Sequence, residues 1–273
     1  MFATSGRARL AYETTGGDGG ADVLLIHAGV TDRRSWRKVI ERLGPGHRCV
    51  AFDARGFGET TYEPEDGWLP TADAMAVQDA AGLERAVVVA GSIGGQTVID
   101  LTLAHPDRVA ALVLIGTAIR GAPYPESTEG PTAELEALIE AADEAGDLDE
   151  VNRLEAWMWL DGPGAQEGRV GGAARELFLD MNGRELRAED PGEQAEIAPA
   201  WPRLAEISVP TLVLIGRLDA DDVKEIDERA AEIIPGARLR WLDGVAHLPQ
   251  LEGDPETLDE IATFVDAVSR DDR

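Results

Sequence analysis

Three residues of this chain have the types and places for chemistry: Ser92, Asp219 and His247. Ser92 lies in Ala90-Gly91-Ser92-Ile93-Gly94-Gly95, directly after the apolar run Ala86-Val87-Val88-Val89 and ahead of a helical pattern. A serine held at positive φ on such a strand-to-helix turn, with Oγ exposed, needs small residues two before and two after it. Ala90 and Gly94 meet that need, although the first departs from the strict G-x-S-x-G pattern.

A serine hydroxyl is barely nucleophilic at neutral pH, so it needs a histidine base and a carboxylate that orients the base. The histidines are His27, His47, His105 and His247. His47, ahead of a strand, and His105, at a helix end, read as surface or capping residues, and His27 as a structural residue bonded within its own loop. His247 sits in Asp243-Gly244-Val245-Ala246-His247-Leu248-Pro249, between the last strand and a final helix signalled by Asp254 at N-cap and Pro255 at N1. Asp219 holds the matching place one strand earlier, in Leu214-Ile215-Gly216-Arg217-Leu218-Asp219. The order serine, aspartate, histidine, each just past a strand, is that of a nucleophile–acid–base set at the carboxyl edge of a parallel sheet. Asp221 and Asp222 are close enough to take the acid role, yet two aspartates ahead of Val223-Lys224-Glu225-Ile226 also suit a helix start. Acyl transfer also needs donors for a developing oxyanion. The amide of Ile93 is one candidate, and the turn His27-Ala28-Gly29-Val30 supplies the other, Gly29 before Val30.

The elements that would position these groups follow from short apolar runs alternating with helical patterns, which indicate a mostly parallel sheet flanked by helices. Strands are predicted at Arg9–Thr14, Val23–His27, Arg48–Phe52, Ala86–Ala90, Ala110–Ile115, Thr211–Ile215 and Arg238–Leu242, and helices at Arg33–Leu43, Thr71–Leu83 and Gly94–Ala104. From Gly121 to Glu206 strand patterns give way to helical ones, with prolines at both ends and a capping box at Asp147 and Glu150. The expected division is a core of residues 1–120 and 207–273 with a helical cap, 121–206, inserted into it. The inserted segment holds 21 acidic residues against six arginines. Its Trp157 and Trp159, with Val30 and Trp36 of the core, are candidates to line a substrate pocket.

Composition narrows the partners. A net charge of −27 argues against nucleic acid or an anionic membrane surface, since binding phosphate rests on clustered cations. No apolar stretch approaches the roughly 20 residues of a membrane span, and the first residues lack the apolar core of a signal peptide, so a cytoplasmic protein is expected. The single cysteine, Cys49, lies in an apolar strand and reads as a buried, inert thiol. No cofactor or metal is expected, and monomer and homodimer are both open. The glycines of Arg55-Gly56-Phe57-Gly58 do not lead into a helix, which argues against a nucleotide loop, and Arg55 reads as part of a structural ion pair.

In combination these motifs resemble the α/β-hydrolase superfamily, from about Arg9 to the last helix. His27-Ala28-Gly29 ahead of Trp36 resembles the family's oxyanion turn, Asp53-Ala54-Arg55-Gly56-Phe57-Gly58 its D-x-R-G-x-G loop, and Gly244 to His247 with Glu252 and Pro255 its histidine loop. The likeness is greatest to small esterases and enol-lactonases such as 3-oxoadipate enol-lactonase. Ala28 and Ala90 replace two usual glycines, and Gly91 stands where a histidine is common. The resemblance implies a cofactor-free serine hydrolase acting on a small carboxylic ester or lactone. Carbon–carbon bond hydrolysis, perhydrolysis and acyl transfer would use the same three residues, and a ligand receptor on the same fold is the non-enzymatic alternative. Dehalogenases and epoxide hydrolases of this fold carry an aspartate where Ser92 stands.

Overall fold

The structure, a computed structural model, describes residues 1–17, 19–125 and 128–271. Nine strands form one sheet: β1 (Phe2–Ser5), β2 (Ala8–Gly16), β3 (Asp22–Ile26), β4 (Arg48–Phe52), β5 (Thr61–Tyr62), β6 (Ala86–Gly91), β7 (Val109–Ile115), β8 (Thr211–Gly216) and β9 (Arg238–Leu242). Their order is β1-β2-β4-β3-β6-β7-β8-β9, with β5 paired to β2. The run from β4 to β9 is parallel, and β1, β2 and β5 pair antiparallel. The helices are α1 (Arg37–Leu43), α2 (Pro70–Ala81), α3 (Ile93–Ala104), α4 (Pro131–Glu144), α5 (Leu148–Glu155), α6 (Gly172–Glu185), α7 (Asp221–Ile233), α8 (Pro249–Glu252) and α9 (Pro255–Asp271).

The central strands read as continuous apolar runs because both of their faces are covered. On β6, Ala86, Val88 and Ala90 enter one apolar cluster with Val98 and Leu101 of α3, while Val87 and Val89 enter the other with Ile261 and Val265 of α9. Each strand's period of two therefore feeds two cores, one on each side of the sheet.

Every predicted strand is present within a few residues, and β1 and the two-residue β5 are added to them; β1 is the longer. Its four residues are too few for a periodic signal, and it is held by pairing with β2. Arg33–Leu43 is not one helix but a 3₁₀ turn, Arg33–Trp36, followed by α1. Asp32 sets that turn by accepting from the amide of Arg34 at 2.9 Å. His47 is buried rather than at the surface: its Nδ1 accepts from the Ala21 amide at 3.0 Å and its Nε2 lies 3.0 Å from Asp266. Trp36, expected at a pocket, is fully buried in the core beside Val39 and Leu43. A tryptophan leading into an amphipathic helix is drawn to the sheet by the large apolar area it buries.

Between β7 and β8 the chain runs through α4, α5, a π-helical turn at Ala156–Asp161, and α6. Leu135, Ala142, Val151, Leu154 and Met158 give these helices an apolar cluster of their own, against which Trp157 packs. A second cluster, with Ala156, Leu160, Phe178 and Met181, meets Ala28, Leu248 and Leu251 from the carboxyl edge of the sheet.

Cys49 is 1% exposed, and burial pushes its thiol up to about 12. At about pH 8, a disulfide reagent should therefore leave the folded protein unlabelled and modify one thiol per chain on denaturation; rapid labelling of the native protein would contradict this placement.

Candidate active site

Ser92 joins β6 to α3 with φ 50° and ψ −121°, the only non-glycine residue at positive φ among those described. Its backbone is pinned to the neighbouring strand's end: its amide donates to the Ile115 carbonyl at 2.9 Å, and its carbonyl accepts from Ala118 at 3.1 Å. Helix α3 starts so close to β3 that a Cβ at Gly94 would lie 2.6 Å from the carbonyl oxygens of both Ile26 and His27. The small-residue requirement thus has a structural cause at Gly94.

One strand on, β8 ends at Gly216 and delivers Asp219; after β9 the loop delivers His247. Their side chains meet, His247 Nδ1 to Asp219 Oδ2 at 2.8 Å, and both are almost wholly buried. The other carboxylate oxygen of Asp219 accepts from the Ala220 amide at 2.8 Å, which fixes the carboxylate's orientation. Of the three neighbouring aspartates, Asp219 alone bonds to the imidazole among the described residues. Asp221 pairs with Lys224 at 2.8 Å, and Asp222 keeps a buried Oδ1 without a partner. Burial raises the Asp222 carboxyl above its ordinary range, an effect that Asp219 nearby reinforces.

The imidazole fills space that Gly116 leaves open. At φ 52°, a Cβ there would lie 2.7 Å from His247 Nδ1 and 3.1 Å from Asp219 Oδ2. Gly116 directly follows Ile115, the acceptor for Ser92, so the serine's backbone and the histidine's ring rest on the same turn after β7. The next residue, Thr117, is held by Asp227, which accepts from its amide at 2.9 Å. Burial, and secondarily Asp219, raises the Asp227 carboxyl well above the usual range. No hydrogen bond joins Ser92 Oγ to His247 among the described residues; such contacts commonly tighten only when substrate is bound.

Gly29 and Ile93 face one another, a Cβ at 29 lying 3.4 Å from the Ile93 side chain. Neither of their amides donates to a backbone carbonyl among the described residues. His27 bonds within its own neighbourhood: Nδ1 to the Ala28 carbonyl at 2.8 Å, and Nε2 from the Ala54 amide at 3.0 Å.

Ile93 is 44% exposed despite its size, because it lines a cavity of about 370 Å³ between the sheet edge and the helical segment. Phe57, Trp68, Pro191 and Glu185 are among the other residues lining it. Its walls are joined where the 65–68 loop meets the 191–195 segment: Glu65 donates to Pro191, Gly67 to Glu193 and Ala195 to Trp68 through the backbone. Arg55 underpins this wall with bonds to Asp73 at 2.8 and 3.1 Å and to Glu65 at 3.0 Å, the structural pairing its motif suggested.

The pocket candidates separate. Trp159 stacks at a tilt on His247, with ring centroids 4.8 Å apart, and Val30 packs in the same cluster, whereas Trp157 packs among the helices and donates to the Ala165 carbonyl at 2.9 Å. Trp36 lies in the core, and none of the four is among the residues that line the cavity. Sequence reasoning missed Phe57, Trp68 and Glu185. The two aromatic side chains stand in a loop, where apolar residues without periodicity are a usable signal; Glu185 carried none.

The model of the alpha/beta hydrolase family matches residues 23–261. A protein of Azorhizobium caulinodans named as a carbamate hydrolase is 30% identical over 90% of this chain and 91% of its own length. The 2-hydroxy-6-oxo-6-phenylhexa-2,4-dienoate hydrolase of Comamonas testosteroni is 27% identical over 88% and 82%. Among solved structures, a thermophilic esterase from Thermogutta terrifontis superposes with a TM-score of 0.75 at 26% identity, over 98% of this chain and 96% of that one.

Replacing Gly116 by alanine should push the imidazole off its carboxylate. The low-field proton resonance of the His247 Nδ1–H, expected in the parent protein, should shift upfield or vanish in Gly116→Ala while far-ultraviolet circular dichroism is retained. An unchanged resonance would refute this packing.

Proposed function

The chain belongs to the alpha/beta hydrolase family, and from that premise we propose that it hydrolyses a small carboxylic ester or lactone through an acyl-enzyme on Ser92. The observation that carries this reading is the buried 2.8 Å bond between His247 and Asp219 beside the turn that holds Ser92 at positive φ.

With Nδ1–H donating to the carboxylate, the other ring nitrogen is left as the base. Ser92 Oγ attacks the carbonyl carbon as His247 takes its proton, and Asp219 stabilises the imidazolium that forms. The oxyanion is received by the amides of Ile93, at the positive end of α3, and Gly29. His247 then protonates the departing alkoxide; in a lactone the alcohol stays tethered to the acyl group. Water, deprotonated by the same imidazole, releases the acid and restores Ser92. The helical segment 121–206 acts as a cap in this reading, supplying Trp159 and one wall of the cavity.

The cavity's charge favours an ester or lactone over the anionic substrates named for the carbon–carbon hydrolases among the relatives. Arg55 is the one cation lining it among the described residues, and its guanidinium is already engaged by Asp73 and Glu65.

A fluorophosphonate probe should label Ser92 alone. Ser92→Ala should lose labelling and lower kcat/KM on p-nitrophenyl esters by about 10³-fold or more, and Asp219→Asn should lower kcat by roughly 10²–10⁴-fold with folding retained. Label on another residue, or full activity in Ser92→Ala, would overturn the mechanism.

A further inference from the structure

The cavity is lined by Gly29 and Ile93 on its core side and by Glu185, Ala188, Glu189, Asp190 and Pro191 on its cap side. Resting on the reading of Ser92 as the acyl acceptor, we propose that the cap side is a subsite for an alkylammonium group bound by Glu185, so that the preferred esters or lactones carry a positive charge.

The charges facing this space are unbalanced. Arg55 has its Nε and Nη2 on Asp73, its Nη1 on Glu65 and a further bond from Nη2 to the Ser5 carbonyl. Asp190 accepts from the Gly192 amide at 2.9 Å, and Glu189 engages the Tyr62 hydroxyl through its main-chain carbonyl, not its carboxylate. The Glu185 carboxylate makes no hydrogen bond or ion pair with any described residue, and the charged group that bears on it from α5 is another acid, Glu155. Burial, and secondarily Glu155, pushes the Glu185 carboxyl up to about 7. A half-buried carboxylate without a countercharge, on the wall of a cavity, is a site whose missing partner a ligand can bring.

The remaining walls suit the methylene or methyl groups of such a cation. Phe52, Phe57, Trp68, Pro70 and Ile93 line the same cavity. Aromatic faces attract ammonium groups as well as accommodating their carbon. One face of Trp68 already receives the Arg55 guanidinium, 4.8 Å from its centroid. Phe52 is 2% exposed, which leaves Phe57 as the aromatic side chain open to the ligand, with Glu185 as the counterion.

Calorimetry with phenyltrimethylammonium, benzyl alcohol and benzoate tests the subsite without turnover, at about pH 8.5, where Glu185 is ionised. Wild type and Ser92→Ala should both bind the cation about tenfold or more tightly than the neutral alcohol, with benzoate weakest, and Glu185→Gln should lose most of that difference. In kinetics, p-nitrophenyl esters of 4-(trimethylammonio)butyrate and of the uncharged 5,5-dimethylhexanoate should give a kcat/KM ratio that falls about tenfold in Glu185→Gln. Benzoate binding as tightly as the cation in wild type overturns the subsite even if no Glu185 variant folds. Cation binding undiminished in folded Glu185→Gln overturns it as well. Ester hydrolysis surviving in Ser92→Ala would instead sink the nucleophile assignment and leave the binding comparison standing, so the two failures are distinguishable.

Discussion

The close approach of α3 to the end of β3 is the constraint on which the site depends. With backbone carbonyls 2.6 Å from where a Cβ at Gly94 would sit, the helix can begin only if the chain reverses within one residue, and Ser92 absorbs the reversal at φ 50°. A non-glycine residue in so sparsely populated a conformation costs about 1–3 kcal/mol, and it persists only where its surroundings over-determine it. Here they do. Ser92 is bonded through both its amide and its carbonyl to the turn after β7, whose own Gly116 makes room for the imidazole of His247. The strained serine and the base it is proposed to use are therefore located by one short stretch of backbone.

The sheet was legible because strands buried on both faces leave apolar runs that few other structures leave. The relation of Ser92, Asp219 and His247 to strand ends followed from those same runs, and so did the rivalry of Asp221 and Asp222, which geometry settles in favour of Asp219 as the imidazole's partner. What could not be read was which aromatic side chains border a cavity. Trp36, Trp157 and Trp159 look alike in sequence, yet one is core, one packs between helices, and one lies on His247. Trp157 and Trp159 part company because residues two apart on a helical turn point to opposite sides of it, and sequence alone does not say which side meets the histidine loop. Glu185 was invisible for another reason: its importance comes from what it lacks, a countercharge, and only the packed structure shows which of many acids has been left without one.

The chain has only two lysines, Lys38 and Lys224, against 23 arginines, and the structure shows what the arginines do. Arg34 joins Asp32 to Asp180 of α6, Arg55 joins Asp73 to Glu65, and Arg175 reaches the buried Asp161. The first two link segments through several donors of one rigid guanidinium, a geometry that a lysine ammonium cannot reproduce. Many of the chain's carboxylates are therefore fasteners between loops.

The most connected of these arginines is Arg169. It binds Glu252 through two parallel bonds of 2.8 Å and also donates to the carbonyls of Leu160, Asp161 and Gly244. Glu252 in turn accepts from the amide of Ala246, next to His247. The helical segment and the histidine loop are thus two ends of one fastening. In shape the segment looks like a detachable module, but exchanging it for a relative's would strip the histidine loop of a support; a chimera that swaps residues 121–206 inherits a working loop only if its new segment brings an arginine to the same place.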